Sequence, residues 1–135
     1  MAVLVLTNAK VLVNSVDLSD HVTSLTLDTG ADDVDTTAMG ATYKNRTGGL
    51  KEWSVQITFQ QDYASAKVDA TIWPLLGSTT TVSINPVNAA NSATNPNYSG
   101  SVLVAEYPAI SGSVGELSTA SVTWPGAGTL TRATS

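Results

Sequence analysis

The stretch Leu50–Gln60 reads L-K-E-W-S-V-Q-I-T-F-Q, and from Glu52 onward polar and apolar residues alternate without a break. Successive side chains of a strand point to opposite faces, so this stretch predicts one apolar and one polar face. The apolar face would carry Trp53, Val55, Ile57 and Phe59. The polar face would carry Glu52, Ser54, Gln56, Thr58 and Gln60. Such a segment is typical of an antiparallel strand with one side buried.

Other segments extend this pattern into a mainly β fold. Thr119–Trp124 repeats the alternation, and shorter strands are predicted at Val11–Val13, Val22–Asp28, Thr79–Ile84 and Ser101–Tyr107. One helix is expected at about residues 63–76, with Ala64, Val68, Ile72 and Leu75 on one stripe. We therefore predict a single domain over residues 1–135: an antiparallel β-sandwich or barrel with one short flanking α-helix and a long inter-subunit loop.

The large aromatic residues lie on the apolar stripes of these elements. We expect Trp53, Phe59, Trp73 and Trp124 in the core, since a ring on such a stripe packs inward more often than it binds sugars. A sugar-binding sandwich remains a distant alternative.

A long loop is predicted at about residues 29–49. Four acidic residues lie at its entrance, and three basic residues lie near its exit: Asp28, Asp32, Asp33, Asp35, Lys44, Arg46 and Lys51. A loop of this length in a compact domain usually has a function. Charges of opposite sign at its two ends would suit head-to-tail pairing with another copy of the chain. A surface hairpin with incidental charges is the other interpretation.

Charge and composition exclude several function classes. The net charge is −5 with only six Lys and Arg, which argues against nucleic-acid binding. The chain has no cysteine for a thiolate nucleophile or a zinc site. It shows no apolar run long enough to span a membrane, and its start lacks the features of a signal peptide. Ser and Thr make up about a quarter of the chain, which suits strands and partner-covered faces.

Asp28-Thr29-Gly30 resembles the catalytic loop of a retroviral-type aspartic protease. That chemistry needs a second carboxylate and a later apolar-apolar-glycine segment packed beneath the loop. The two candidates for that segment fit poorly, since Leu75-Leu76-Gly77 ends the predicted helix and Ile110-Ser111-Gly112 has a central serine. A strand that ends in an Asp-Thr-Gly turn is the simpler interpretation. The protease is kept as a distant alternative.

No other catalytic or metal site emerges from the sequence. Asp32, Asp33 and Asp35 could bind Ca²⁺, but the glycine and final glutamate of an EF-hand are missing. His21 follows Asp20, but no G-x-S-x-G motif supplies a nucleophilic serine. We therefore expect a protein that is not an enzyme, with no catalytic residues, no metal and no cofactor.

From about Asp17 to Leu130 the chain resembles the tail tube (major tail) proteins of long-tailed bacteriophages and of related gene-transfer particles. The resemblance lies in the element order and in a set of phrases. These are G-G-L-K-E-W-S-V-Q-I-T-F, W-P-L-L-G, T-V-S-I, Y-S-G-S-V-L-V-A-E-Y and G-S-V-G-E-L-S-T-A-S-V-T-W-P-G-A-G-T-L-T. No extra C-terminal immunoglobulin-like domain is present in the sequence, so the expectation is a minimal tube subunit.

The resemblance implies a subunit that forms hexameric rings stacked into a tube, through which DNA passes without specific binding. Strands of all subunits would join into one barrel, and the long loop would bridge copies. Expected partners are the chain itself and other tail proteins such as the tip and terminator. The expected location is the virion tail, with host cytoplasm before assembly. The polar face from Glu52 to Gln60 is a candidate lining of the lumen. A capsid decoration (cement) protein is the main alternative.

Overall fold

Two antiparallel sheets account for the strands of the residues that the structure describes. The structure is a computed structural model and describes residues 3–134. One sheet has five strands: β1 (Lys10–Val13), β2 (Val16–Asp17), β5 (Thr79–Asn85), β6 (Asn97–Leu103) and β8 (Thr131–Ala133). Its order is β2-β1-β5-β6-β8. The other has three: β3 (Val22–Asp35), β4 (Arg46–Gln60) and β7 (Thr119–Pro125), with β4 in the middle. The predicted mainly β, antiparallel fold with one short helix is confirmed.

The core lies between the two sheets. The three-stranded sheet contributes the alternate residues Val55, Ile57, Phe59, Ala120, Val122 and Trp124. The five-stranded sheet contributes Val11, Val13, Val82, Ile84 and Val102. Short aliphatic and β-branched residues suit a pleated surface, and their burial is the main stabilising contribution to the fold.

Trp53 joins the two sheets at one end of the core. Its indole Nε1 donates a hydrogen bond to the Gly128 carbonyl at 2.7 Å. A Cβ atom on Gly126 would overlap the indole ring, and one on Gly100 would lie 2.8 Å from it. The turn after β7 therefore closes around this ring, and close approach requires glycine at Gly126.

The helix is shorter than the predicted span of about 63–76. α1 covers Val68–Ile72, and a 3₁₀ turn follows at Trp73–Leu75; another 3₁₀ turn lies at Ser19–His21. Ala66 has a positive φ of 60°, which keeps the helix from starting earlier, and Pro74 lacks the backbone donor that an α-helix needs. No helix within residues 3–134 is long and apolar enough to cross a membrane.

Two further predictions are corrected by this structure. Trp73, expected in the core, is 57% exposed, because it directly follows Ile72 and so lies off the helix face that Val68 and Ile72 share. The strand expected at Ser101–Tyr107 instead spans Asn97–Leu103, so its apolar residues beyond Leu103 connect the two sheets.

The predicted loop at about 29–49 is mostly a β-ribbon. β3 continues to Asp35 and β4 begins at Arg46, so only residues 36–45 form a loop. The segment shows no alternation because both of its faces are exposed, and its acidic residues and glycines disfavour strands as well. Pairing with the opposite strand nevertheless satisfies the backbone groups that face that strand.

Candidate assembly surfaces

The outer part of the β3–β4 hairpin, residues 28–52, is here called the arm. Every one of these residues is exposed. β7 pairs with β4 only from Ser54 to Gln60, so the arm extends past the sandwich as a two-stranded ribbon. At about 3.3 Å per residue, its strands project roughly 25 Å. An isolated ribbon of this kind is marginally stable in water, and its uncovered faces are available to a partner.

One basic residue of the arm, Arg46, is a cross-strand neighbour of its acidic residues. The sequence suggested an acidic and a basic end, but hairpin pairing brings these ends together. Arg46 Nε lies 3.2 Å from the Asp33 carboxylate, and Arg46 is in register with Asp35. Within residues 3–134, Lys44 and Lys51 make no ion pair. The premise of opposite charges at separated ends is therefore wrong, although the arm remains a candidate contact surface.

A β-bulge twists the arm at Gly49. Ala31 pairs with Lys51, but Asp33 pairs with Gly48, so one extra residue lies on β4. A Cβ atom on Gly49 would come within 2.9 Å of the Asp32 Cβ. Only glycine fits this approach without a shift of the opposite strand.

The loop at the end of the arm, residues 36–45, is called the tip. Asp35 and Thr37 close it, because the Asp35 carboxylate accepts the Thr37 N–H at 2.9 Å and Thr37 Oγ1 accepts the Asn45 N–H at 2.8 Å. Hydrogen bonding to Thr37 lowers the pKa of Asp35. Met39 and Tyr43 are both exposed in the tip.

The uncovered side of the three-stranded sheet, called the polar face, carries short polar side chains in cross-strand rows. Thr26, Gln56 and Thr123 form one row, and Ser24, Thr58 and Ser121 form the next. Thr58 Oγ1 lies 3.1 Å from Ser121 Oγ and accepts a hydrogen bond from Ser24 at 3.3 Å.

The five polar residues that the sequence predicts on one side of β4 lie on this face: Glu52, Ser54, Gln56, Thr58 and Gln60. No Lys or Arg shares the face along the part of β4 that pairs with β7. Phosphate groups would therefore find hydroxyl and amide groups there, without cations to hold them.

The Asp28-Thr29-Gly30 motif lies in the middle of a continuous strand. Asp28 is in register with Ser54, Thr29 with Trp53 and Gly30 with Glu52. An extended strand does not form the loop that presents a catalytic carboxylate, and it does not form the predicted Asp-Thr-Gly turn either. The protease alternative therefore has no support in this geometry.

The acidic residues of the arm do not form a cation site. Within residues 3–134, no cluster of three or more His, Cys, Asp or Glu residues could hold a metal ion. Asp33 is engaged by Arg46, and Asp35 binds the backbone of the tip.

His21 bridges two carboxylates and no serine. Its Nδ1 lies 2.7 Å from Asp20 and its Nε2 lies 2.8 Å from Asp62. Only the protonated imidazolium can donate from both nitrogens at once. Partial burial opposes its charge, but the hydrogen bonds to Asp20 and Asp62 outweigh it and raise the pKa of His21. The histidine thus ties the entry of β3 to the segment before α1.

Sequence reasoning missed two apolar surfaces. Loop 108–118, here called the end loop, exposes three aliphatic residues, Ile110, Val114 and Leu117. The segment from Val3 to Leu6 is exposed too, and Leu6 lines a groove of about 330 Å³ beside Leu25 and Leu27. Isolated aliphatic residues among Ser and Gly give no periodic signal, so no sequence pattern marked the end loop as an apolar surface.

Comparison with known proteins finds solved structures that share this fold. No protein-family profile and no curated protein matches the chain. A solved chain from the virion of a native gene transfer agent (GTA) particle shares its fold, with a TM-score of 0.75 and 12% identity over 93% of this chain and 95% of that chain.

A second solved chain comes from the tail of an empty GTA particle, determined by helical refinement with C6 symmetry. It has a TM-score of 0.66 and 14% identity, over 82% of this chain and 81% of that one. At such identities the likeness is one of fold. It confirms the resemblance to phage and gene-transfer-particle tail proteins at that level.

Proposed function

We propose that this chain is a structural, non-enzymatic subunit of a virus-like tail, which assembles into hexameric rings stacked as a tube for DNA passage. The observation that carries this proposal is the three-stranded sheet, which combines an uncovered polar face with a long open edge. The shared fold with a chain from a C6-symmetric GTA tail supports it.

The polar face suits the wall of a DNA conduit. It presents hydroxyl and amide groups with the carboxylates Asp28 and Glu52 at its arm end. Phosphates are retained by clustered cations, so a wall without them lets the backbone slide past. In this arrangement the row Thr26–Gln56–Thr123 and its neighbours face the lumen.

The open edge suits ring closure. β3 is 14 residues long and pairs only with β4, which leaves its outer edge unpaired. Long unpaired edges are usually covered or closed into barrels. β3 and β7 each run antiparallel to β4, so they run parallel to each other. In a ring all copies have the same orientation, so β3 of one copy would pair with β7 of the next copy as parallel strands.

A backbone N–H on the outer edge of β7 is bonded to a side chain, and ring closure would replace that side chain by a strand of the neighbouring copy. The Glu106 carboxylate accepts the N–H of Thr123 at 2.9 Å, so it satisfies an amide that points away from β4. In a closed ring the neighbouring strand would take that place.

Negative-stain electron microscopy of the concentrated, purified chain tests the proposal. Stacked tubes or rings with six-fold symmetry are the expected result. Compact trimers would favour a capsid decoration protein instead. A chain that stays monomeric at the highest attainable concentration, with no ring in any image, would overturn the tail-tube assignment.

A further inference from the structure

We propose that the end loop, residues 108–118, is the surface that receives the tip of the arm from another copy of this chain. The inference rests on the proposed function, because it supplies the contact between stacked rings. It commits to a single partner: residues 36–45 of a second copy.

The first argument is position. β4 enters the sandwich from the arm at Ser54 and leaves it at Gln60, where Thr119 pairs with it. The arm and the end loop therefore lie at opposite ends of the same sheet, about 20 Å apart at 3.3 Å per residue. Two surfaces at opposite ends of one subunit meet when copies stack in the same orientation, which is a heterologous contact.

The second argument is the anchoring of the end loop. Gln61 Nε2 and the Tyr63 hydroxyl both donate to the Ala109 carbonyl, at 2.9 and 2.6 Å. Ser118 Oγ donates to the Ser111 carbonyl at 2.5 Å, and the Gln61 N–H donates to the Ser118 carbonyl at 3.0 Å. The base of the loop is thus held in place, while its aliphatic side chains point away from the core.

The third argument is chemical complementarity. Ile110, Val114 and Leu117 are exposed in the end loop, and Met39 and Tyr43 are exposed in the tip. The only charged residue of the end loop is Glu116, and the only one of the tip is Lys44. Each surface thus combines apolar side chains with one charge, and the two charges have opposite sign. Apolar contact would give the attraction, and the pair would help to set the register.

Engineered disulfides test the contact, since the native chain has no cysteine. Met39→Cys and Val114→Cys alter two fully exposed side chains, so neither should disturb folding. The doubly substituted chain is allowed to assemble, oxidised and run on a non-reducing gel. We expect a ladder of covalent multimers, and a dimer when the two single variants are mixed.

A matched control replaces Val114→Cys by Ala90→Cys, an exposed position in the loop between β5 and β6. Met39→Cys with Ala90→Cys should give no ladder. As a second readout, Lys44→Glu and Glu116→Lys should each reduce tube length, and the two together should restore it.

The outcomes separate the two proposals. Tubes seen by microscopy together with the Met39–Val114 ladder support both. Tubes without this ladder, or with an equal ladder in the Ala90 control, overturn the end loop as receiver and leave the tail-tube proposal standing. Chains that form neither rings nor tubes overturn the proposed function, and this inference with it.

Discussion

At the level of single residues, the most demanding contact is that between Trp53 and the turn that wraps it. The buried ring bonds to Gly128 through Nε1 and rests against Gly126 and Gly100. The Gly126 N–H in turn donates to the Trp53 carbonyl at 2.8 Å. The ring and the backbone therefore constrain each other, so a single added methyl group should lower the stability of the protein.

Gly126→Ala should destabilise the protein by about 1–3 kcal/mol, as expected when an extra methyl group overpacks a core contact. Gly128→Ala is the matched control, because a Cβ there meets no atom within 4 Å. Chemical denaturation monitored by tryptophan fluorescence measures both. Equal stability of the two variants would show that the indole can move aside at no cost.

His21 makes stability depend on pH. The pKa of His21 is raised in the folded state, so its contribution is fully present below the unfolded pKa and is lost as pH rises through the folded one. The pKa values of Asp20 and Asp62 are lowered. For Asp20 the main cause is the hydrogen bond to His21, and for Asp62 it is the Ala64 backbone N–H, with His21 second. Their contributions are lost as pH falls through those lowered values.

The difference in unfolding free energy between the native chain and His21→Gln should therefore be larger near pH 6 than near pH 9. The first value lies about half a unit below the unperturbed histidine pKa, and the second lies well above it. Urea unfolding at the two pH values measures it. Asp17→Asn, a nearby carboxylate that does not contact His21, is the control. A difference that is constant with pH would mean that protonation of His21 does not contribute to stability.

At the level of elements, the arm and the sandwich are separable. No side chain of the arm is buried, and the core cluster draws only on residues outside it. Removing the arm should thus leave the free energy of unfolding nearly unchanged. Its backbone hydrogen bonds are made within the ribbon, so deletion leaves no buried partner unsatisfied.

Replacing residues 32–50 by Asn-Gly joins Ala31 to Lys51, which already face each other, through a two-residue hairpin turn. We expect a folded monomer with an unchanged melting temperature that no longer forms long tubes. Circular dichroism and size-exclusion chromatography check the first part, and microscopy checks the second. Long tubes built from the shortened chain would remove the arm from the stacking contact.

At the level of the whole molecule, the two ends of the three-stranded sheet carry different surfaces. The arm lies at one end of the three-stranded sheet, the end loop lies at the other, and the polar face runs between them. A subunit with different surfaces at its two ends favours open, head-to-tail assembly over a closed dimer. The net charge of −5 and the small number of cations mean that the proposed tube would not retain DNA.

Local pattern was enough to predict the sheets but not the arm. The alternation around Ile57 and Val122 specifies which face is buried, because a strand places every second side chain on the same side. The arm has no such pattern, since neither of its faces is covered within the subunit. Its strands come from cross-strand pairing, which links residues as distant in sequence as Gly30 and Glu52.

The sequence alone therefore established the mainly β class and the buried faces of the strands, both of which depend on residue type and short-range period. Only the folded chain showed that Asp28 lies within a strand, that Trp73 is exposed and that the end loop is opposite the arm. Those facts depend on which distant segments pair, and pairing is decided by the packing of the whole core.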